Sequence, residues 1–257
     1  MDISKGKYWQ RPWSLVDGCT PCSPGCEHCW SAAMTHRFRR WDNMAKGQYT
    51  NDKGQFDGRV SVHPARFDIP LKRRKPTVYA VWNDLFHEAV PGTFIQAAYA
   101  TMAQSRQQTF LVLTKRPKRM CDIHTGFGEV GLTFREGYGA VLPNVYHGLT
   151  VCNQQEADEK IPIFLQVPGK KFLSIEPALG NVSLWDTYLN VKLVEYFDLI
   201  IWGAETGAKA RPAEIEWFET IRDECEVAGT PIFLKQLDKK RNRVLDGATY
   251  DDLPWRA

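Results

Sequence analysis

Short apolar runs recur along the chain, and each stops abruptly at polar residues. Thr77-Val-Tyr-Ala-Val-Trp82 stops at Asn83-Asp84, and Thr109-Phe-Leu-Val-Leu113 at Thr114-Lys115-Arg116. Asn144-Val-Tyr-His-Gly-Leu149 stops at Thr150, and Lys171-Phe-Leu-Ser-Ile175 at Glu176-Pro177. Leu199-Ile-Ile-Trp-Gly203 stops at Ala204-Glu205, and Pro231-Ile-Phe-Leu234 at Lys235-Gln236. The runs are rich in β-branched and aromatic residues and do not alternate cleanly with polar ones. That is the pattern of strands covered on both faces of a parallel sheet. Between them lie helical patterns. Thr93 to Ser105 carries Phe94, Ile95, Ala98 and Met102, and Pro212 to Ala228 carries Ile215, Phe218, Ile221 and Cys225. Strand and helix alternate every ~25 to 35 residues, as βαβ units require. The first strand is expected near Trp13 to Val16, and Ser31 to Trp41 reads as a helix. Val60-Ser-Val62 is expected to extend the sheet or to form a small hairpin.

These elements predict an α/β fold, a partial barrel of six or seven strands. In such barrels the chemistry sits at the C-terminal ends of the strands. The polar residues that end the runs, Asn83, Asp84, Lys115, Thr150, Glu176, Glu205 and Lys235, therefore converge on one candidate site. A single domain over residues 1–257 is expected. It carries a cysteine loop at residues 17–30 and a possible lid at 121–142, where five glycines fall between Gly126 and Gly139.

Composition changes this picture little. Among 257 residues 43% are hydrophobic and 25% charged, which suits a globular chain and excludes a fibrous or disordered one. No apolar stretch is long enough to span a membrane. The polar start of the chain predicts no secretory leader, so a cytoplasmic setting is expected. A net charge of +3 is too mild to imply a nucleic-acid partner by itself.

The seven cysteines matter more. An odd count without a leader argues against a disulfide framework. Cys121, Cys152 and Cys225 are scattered and read as buried structural thiols. Cys19, Cys22, Cys26 and Cys29 fall in one loop, Cys19-Thr-Pro-Cys22-Ser-Pro-Gly-Cys26-Glu-His-Cys29-Trp30. Two Cys-x2-Cys pairs can supply the four ligands of a zinc ion, although here little chain separates them. The other reading is an iron–sulfur cluster held by thiolates on a wrapping loop. Cys22-x3-Cys26-x2-Cys29 has the spacing that holds a [4Fe-4S] cluster in radical S-adenosylmethionine enzymes. Three ligands leave one iron open for the methionine moiety.

The chain as a whole resembles a phage-associated family of unknown function that stands beside those enzymes. The resemblance rests on Gly18-Cys19-Thr20, Ser23-Pro24-Gly25-Cys26-Glu27-His28-Cys29-Trp30, Asn83-Asp84-Leu85-Phe86-His87 and Val90-Pro91. It continues through Leu113-Thr114-Lys115-Arg116-Pro117, Gly148-Leu149-Thr150-Val151 and Ser174-Ile175-Glu176-Pro177, and through Gly203-Ala204-Glu205-Thr206-Gly207, Ala210-Arg211-Pro212 and Lys235-Gln236. It implies a (β/α)6-type partial barrel, a [4Fe-4S] cluster, S-adenosyl-L-methionine and a reducing electron donor. It places the third ligand at Cys19, whereas spacing alone places it at Cys22; Cys26 and Cys29 are ligands under either.

The same resemblance assigns the methionine amino group to Asn83-Asp84. It assigns the ribose and carboxylate to Thr150, Asn153, Ser174 and Glu176. Lys115 and Arg116 are candidates to pair with a carboxylate or phosphate. Glu205 and Lys235 are expected to contact substrate, and His87 to donate a proton or a structural hydrogen bond. The phage setting implies the cytoplasm of an infected bacterium and nucleic-acid modification. The sharpest expectation is rearrangement of an amino-acid-decorated thymine in phage DNA. The alternatives are a radical DNA repair lyase and a zinc- or cluster-bearing nucleic-acid-binding module. Basic runs at Arg37–Arg40, Arg66–Lys75, Lys115–Arg119 and Lys235–Arg243 suit a polyanion if they surround the barrel mouth. Trp9, Trp13, Trp30, Trp41 and Trp82 are candidates to stack on bases.

Overall fold

A computed structural model describes residues 2–38, 49–126, 141–186 and 191–255. The chain runs through β1 (Arg11–Trp13), β2 (Val16–Gly18), α1 (Trp30–Arg37), β3 (Val60–Val62), α2 (Asp68–Leu71), β4 (Val78–Val81) and α3 (Gly92–Gln104). It continues with β5 (Thr109–Thr114), α4 (Pro117–Thr125), β6 (Val145–Thr150), α5 (Gln154–Phe164), β7 (Lys170–Ile175), β8 (Trp185–Asp186) and β9 (Val191–Lys192). Then come β10 (Leu199–Gly203), α6 (Ile215–Ala228) and β11 (Ile232–Gln236). Seven strands form one parallel sheet in the order β1-β4-β5-β6-β7-β10-β11, curled into a half-barrel.

Alternation along the strands separates two cores. Tyr79, Val81, Phe110, Val112, Val145, Leu149, Leu173, Ile175, Ile200, Trp202, Ile232 and Leu234 pack with the apolar faces of the helices. Those faces include Ile95 and Met102 of α3, Met120 of α4, Ile161 of α5 and Phe218, Ile221 and Cys225 of α6. The alternate residues Val78, Leu111, Tyr146, Phe172, Leu199, Ile201 and Phe233 form a second cluster on the other face. Tyr8, Trp9, Leu253 and Trp255, from the two ends of the chain, cover it. This is why the runs read as apolar without clean alternation: both faces of each strand are buried.

The expected strand at Trp13 to Val16 is divided. Trp13 ends β1, and the chain then leaves the sheet so that Val16–Gly18 pairs antiparallel with Val60–Val62. Val60–Val62 therefore belongs to a separate two-stranded ribbon and does not extend the main sheet. The helix expected over Ser31 to Trp41 is seen as α1, and residues 39–48 lie outside the described residues, as does most of the expected lid, 127–140. Cys121 and Cys225 are core thiols, as expected.

Gly148 shows how closely the inner face is filled. It pairs in register with Phe172, and a Cβ added at Gly148 would lie 2.2–2.6 Å from three atoms of that ring. Phe172 is fully buried and its ring packs on Trp255, so it has no room to yield. Gly148→Ala is expected to cost about 1–3 kcal/mol, read by urea denaturation.

The outer core holds a buried histidine pair. His124 and His147 meet at 4.5 Å between ring centroids, and His124 shares a 3.0 Å hydrogen bond with the Tyr99 hydroxyl. Burial pushes His147 well below the usual histidine range, helped by the neighbouring His124, and burial lowers His124 to about 4. The unfolded chain therefore binds protons that the folded chain refuses. The associated stability is fully present above pH ~6.5 and is lost as pH falls from there toward 4. His124 is expected to cost about 2 kcal/mol by pH 5, and His147 to add to that loss. Urea melts at pH 7 and pH 5 measure the loss, and His147→Leu should shrink it.

A thiol loop lashed across the strand ends

The loop from Cys19 to Cys29 leaves β2 and enters α1. Residues that follow four different strands of the sheet hold it in place. After β4, Asn83 takes a left-handed conformation (φ 58°), which asparagine tolerates better than most residues. Its amide donates to the Val16 carbonyl at 2.7 Å and accepts from the Ser31 hydroxyl at 2.8 Å, tying the start and end of the loop together. His87 accepts the Ala89 amide at Nδ1, which leaves its proton on Nε2 to donate to the Thr20 hydroxyl at 2.8 Å. Burial, with Arg116 nearby, lowers the His87 pKa, so the ring is neutral.

After β5, Arg116 is the hub. It is buried and bonds Asp84 at 3.0 Å, Glu88 at 2.8 Å and the Thr20 carbonyl at 3.0 Å, and it reaches Cys19 Sγ at 3.8 Å. Asp84 also accepts from the Thr114 hydroxyl at 2.7 Å and the Lys115 amide at 3.1 Å. After β6, Cys152 Sγ lies 3.6 Å from the Ser23 hydroxyl, and a Cβ on Gly25 would come within 2.5 Å of that sulfur. Cys152 is fully buried, as expected, and its sulfur also rests against the loop. After β10, Glu205 accepts from Arg211 at 2.7 Å and meets His28 Nδ1 at 3.0 Å. Arg211 continues to Glu27 at 3.0 Å and the Pro24 carbonyl at 3.2 Å. Burial alone would raise the Glu205 pKa, but the hydrogen bonds from Arg211 and His28 hold it down at about 2.

A second polar group stands on the inner face of the sheet. Lys235 pairs with Glu176 at 2.7 Å, and Glu176 accepts from Ser174 at 3.1 Å and from the buried Tyr8 hydroxyl at 3.3 Å. Gly203 makes space for this group: a Cβ there would lie 3.0 Å from Glu176 Oε1. Thr150 is buried and pairs in register with Ser174. Asn153 caps α5 by accepting the Glu156 amide at 2.9 Å.

So the structure divides the predicted site residues. Asn83, Asp84, His87 and Glu205 are engaged with the thiol loop or its anchor Arg116, and Ser174, Glu176 and Lys235 form the inner group. Tyr8, His28 and Arg211 escaped the sequence reading as partners. Arg211 stood in a recognised segment, but nothing local linked it to Glu205 or to the loop.

Among the described residues the basic runs, which would suit a polyanion if they surrounded the mouth, are divided: Lys115, Arg116 and Lys235 lie at the C-terminal ends of strands, and others do not face outward there. Lys72 to Lys75 precede β4 and so lie at the N-terminal end of the strands. Arg119 donates to the His87 and Val90 carbonyls, Lys118 pairs with Asp122, and buried Arg243 bonds the Leu234 carbonyl. Direction of the strand, which a charge run does not reveal, decides which end a basic residue occupies.

All four loop thiols are free. The neighbouring Cys22 favours thiolate at Cys26, and Cys26 in turn disfavours it at Cys22. Burial raises Cys19 to about 11 despite Arg116, and burial raises Cys29 against the Ser31 and Ala32 amides at the start of α1. Lys115 makes no side-chain hydrogen bond or ion pair among the described residues, and its charge favours thiolate at Cys26, Cys29 and Cys152. The donor set thus suits a thiophilic metal centre: clustered thiols, with cations beside them to offset their charge. Among the described residues, no three His, Cys, Asp or Glu side chains are gathered closely enough to hold a single metal ion.

Fold and site together define a parallel α/β half-barrel protein with a thiol loop bound across the C-terminal ends of its strands. Residues 4–254 match a family described as a protein of unknown function, DUF5131, and the chain belongs to it. No curated protein and no solved structure matches the chain. Among the described residues no helix is long and apolar enough to cross a membrane.

Proposed function

We propose that this protein is a radical S-adenosylmethionine enzyme whose thiol loop holds a [4Fe-4S] cluster on a (β/α)6-type partial barrel. The observation that carries the reading is the loop's attachment, from four strand ends, beside an inner row of polar groups. Cys26 and Cys29, with Cys19 or Cys22, would hold the cluster. Bound there, it would supply the electron that cleaves S-adenosylmethionine to a radical able to abstract hydrogen. Arg116 and Lys115 offset thiolate charge. Glu176, with four potential lone-pair sites, has acceptor capacity left for ribose hydroxyls. Lys235 is placed to meet an anionic group, and Tyr8 orients the Glu176 carboxylate. Arg211 and Glu205 keep the loop closed against the strand ends. The substrate in this reading is a nucleic-acid base, an amino-acid-decorated thymine of phage DNA, as the family resemblance implies.

Anaerobic reconstitution with iron and sulfide tests the reading. A brown protein that releases 5′-deoxyadenosine with a reductant supports it. A colourless protein carrying stoichiometric zinc would replace it with a nucleic-acid-binding module. Incubation with modified and unmodified phage DNA, followed by nucleoside chromatography and mass spectrometry, addresses the substrate. An isomerisation changes mobility but not mass, whereas a repair lyase acts on damaged DNA without the decoration.

A further inference from the structure

We propose that the open β1 edge of the half-barrel carries a track for a single strand of nucleic acid, running from a basic groove to the thiol loop. The inference rests on the reading above in taking nucleic acid as the substrate class, but its observations are separate ones. A groove of about 440 Å³ is lined by Asp2, Lys7, Gln10, Arg11, Arg73, Lys75, Pro76 and Thr77. Four of these are cations and one is an acid, and that acid, Asp2, is already paired with Lys5 at 2.9 Å. Arg11 and Lys75 are exposed and make no side-chain hydrogen bond or ion pair among the described residues. Their charge is therefore left for something outside the chain.

From this groove a line of indoles leads to the thiols. Lys7 lies 4.3 Å over the Trp9 ring, Trp9 meets Trp82 at 5.6 Å, and Trp82 meets Trp30 at 5.1 Å. Trp30 directly follows Cys29 and is 55% exposed, unusually open for a tryptophan. Trp13 is fully buried and takes no part. Among the described residues β1 is the last strand on its side of the sheet; Trp9 and Trp82 are half-buried beside it, and Trp30 is the open end of the line.

Cations in a groove recognise phosphates, and a row of indoles recognises the faces of unpaired bases. A duplex hides those faces in its own stack, and an acidic peptide has no use for them. The combination thus selects a single strand, delivered with its bases toward the mouth.

The test is binding of a labelled oligothymidylate of roughly 15 nucleotides, within the span such tracks cover. Fluorescence anisotropy of the full-length protein is read as a function of salt, without S-adenosylmethionine or reductant. Arg11→Ala/Lys75→Ala is expected to weaken binding roughly tenfold and to flatten the salt slope by about 1.4, two single-strand phosphates' worth. Trp30→Ala is expected to weaken it by about tenfold at unchanged slope, and Trp30→Phe to restore most of that loss. Thermal melts confirm that each variant is folded. The proposal is overturned if the double variant keeps the full slope, if Trp30→Ala binds as well as the parent, or if polyglutamate or duplex DNA binds equally tightly. Because the readout needs no chemistry, the track can fail while the protein still cleaves S-adenosylmethionine, and the reverse.

Discussion

Cys26→Ala and Cys29→Ala proteins, reconstituted anaerobically, are expected to remain nearly colourless and to release 5′-deoxyadenosine only at background. In the proposed cluster each of these thiols would be a ligand whichever residue fills the third place, so no other loop thiol would substitute for it without moving the chain. Cys19 and Cys22 are expected to behave differently from each other. Cys19 sits half-buried at the end of β2, with Arg116 3.8 Å from its sulfur. Cys22 is exposed, and Cys26 disfavours its thiolate. Cys22→Ala should therefore keep iron content and visible absorption close to the parent, and Cys19→Ala should lose most of both. The opposite result would give the third place to Cys22. Equal retention by Cys26→Ala and the parent would sink the cluster reading outright.

Arg116→Met carries the largest expected loss of stability, about 3–5 kcal/mol by urea denaturation. The substitution leaves the Asp84 carboxylate, itself buried, without its counter-charge, and it frees the Thr20 carbonyl. Glu88→Gln provides the contrast. That acid bonds the same guanidinium, but its side chain is 67% exposed, so water replaces the partner and the cost should stay below about 1 kcal/mol. If Asp84 is the reason, Asp84→Asn/Arg116→Met should lose less than the sum of the single changes. Equal losses for Arg116→Met and Glu88→Gln would show that the buried pair is not what holds the loop's base.

The strands were legible because burial on both faces leaves nothing polar inside them, and their ends because polar residues return where the chain emerges. Ile215 through Cys225 showed the face of α6 for a similar reason, since a helix must bury one stripe; only Ile215, at its start, is exposed. The thiols were legible as a group because four of them share one loop.

Partnership was not legible. Arg116 and Lys115 are neighbours in one basic run, yet Arg116 is buried among Asp84, Glu88 and Thr20, while Lys115 is left facing the thiols. Glu205 bonds Arg211 and His28, and the buried Cys152 meets Ser23 of the loop, yet no local pattern announced either partnership. The division of Trp13 to Val16 between two sheets was equally hidden, because both halves are fully buried and differ only in what they pair with.

By itself, then, the sequence determined a parallel α/β sheet, the end of it that carries polar groups, and a thiol loop beside that end. Those follow from which residues avoid water, a local property of each run. Which side chains hold the loop, which face inward, and which basic run lies at the opposite end from the mouth were decided only by the tertiary structure. Contacts between residues far apart in the chain depend on strand order, strand direction and the curl of the sheet, and no single segment encodes them.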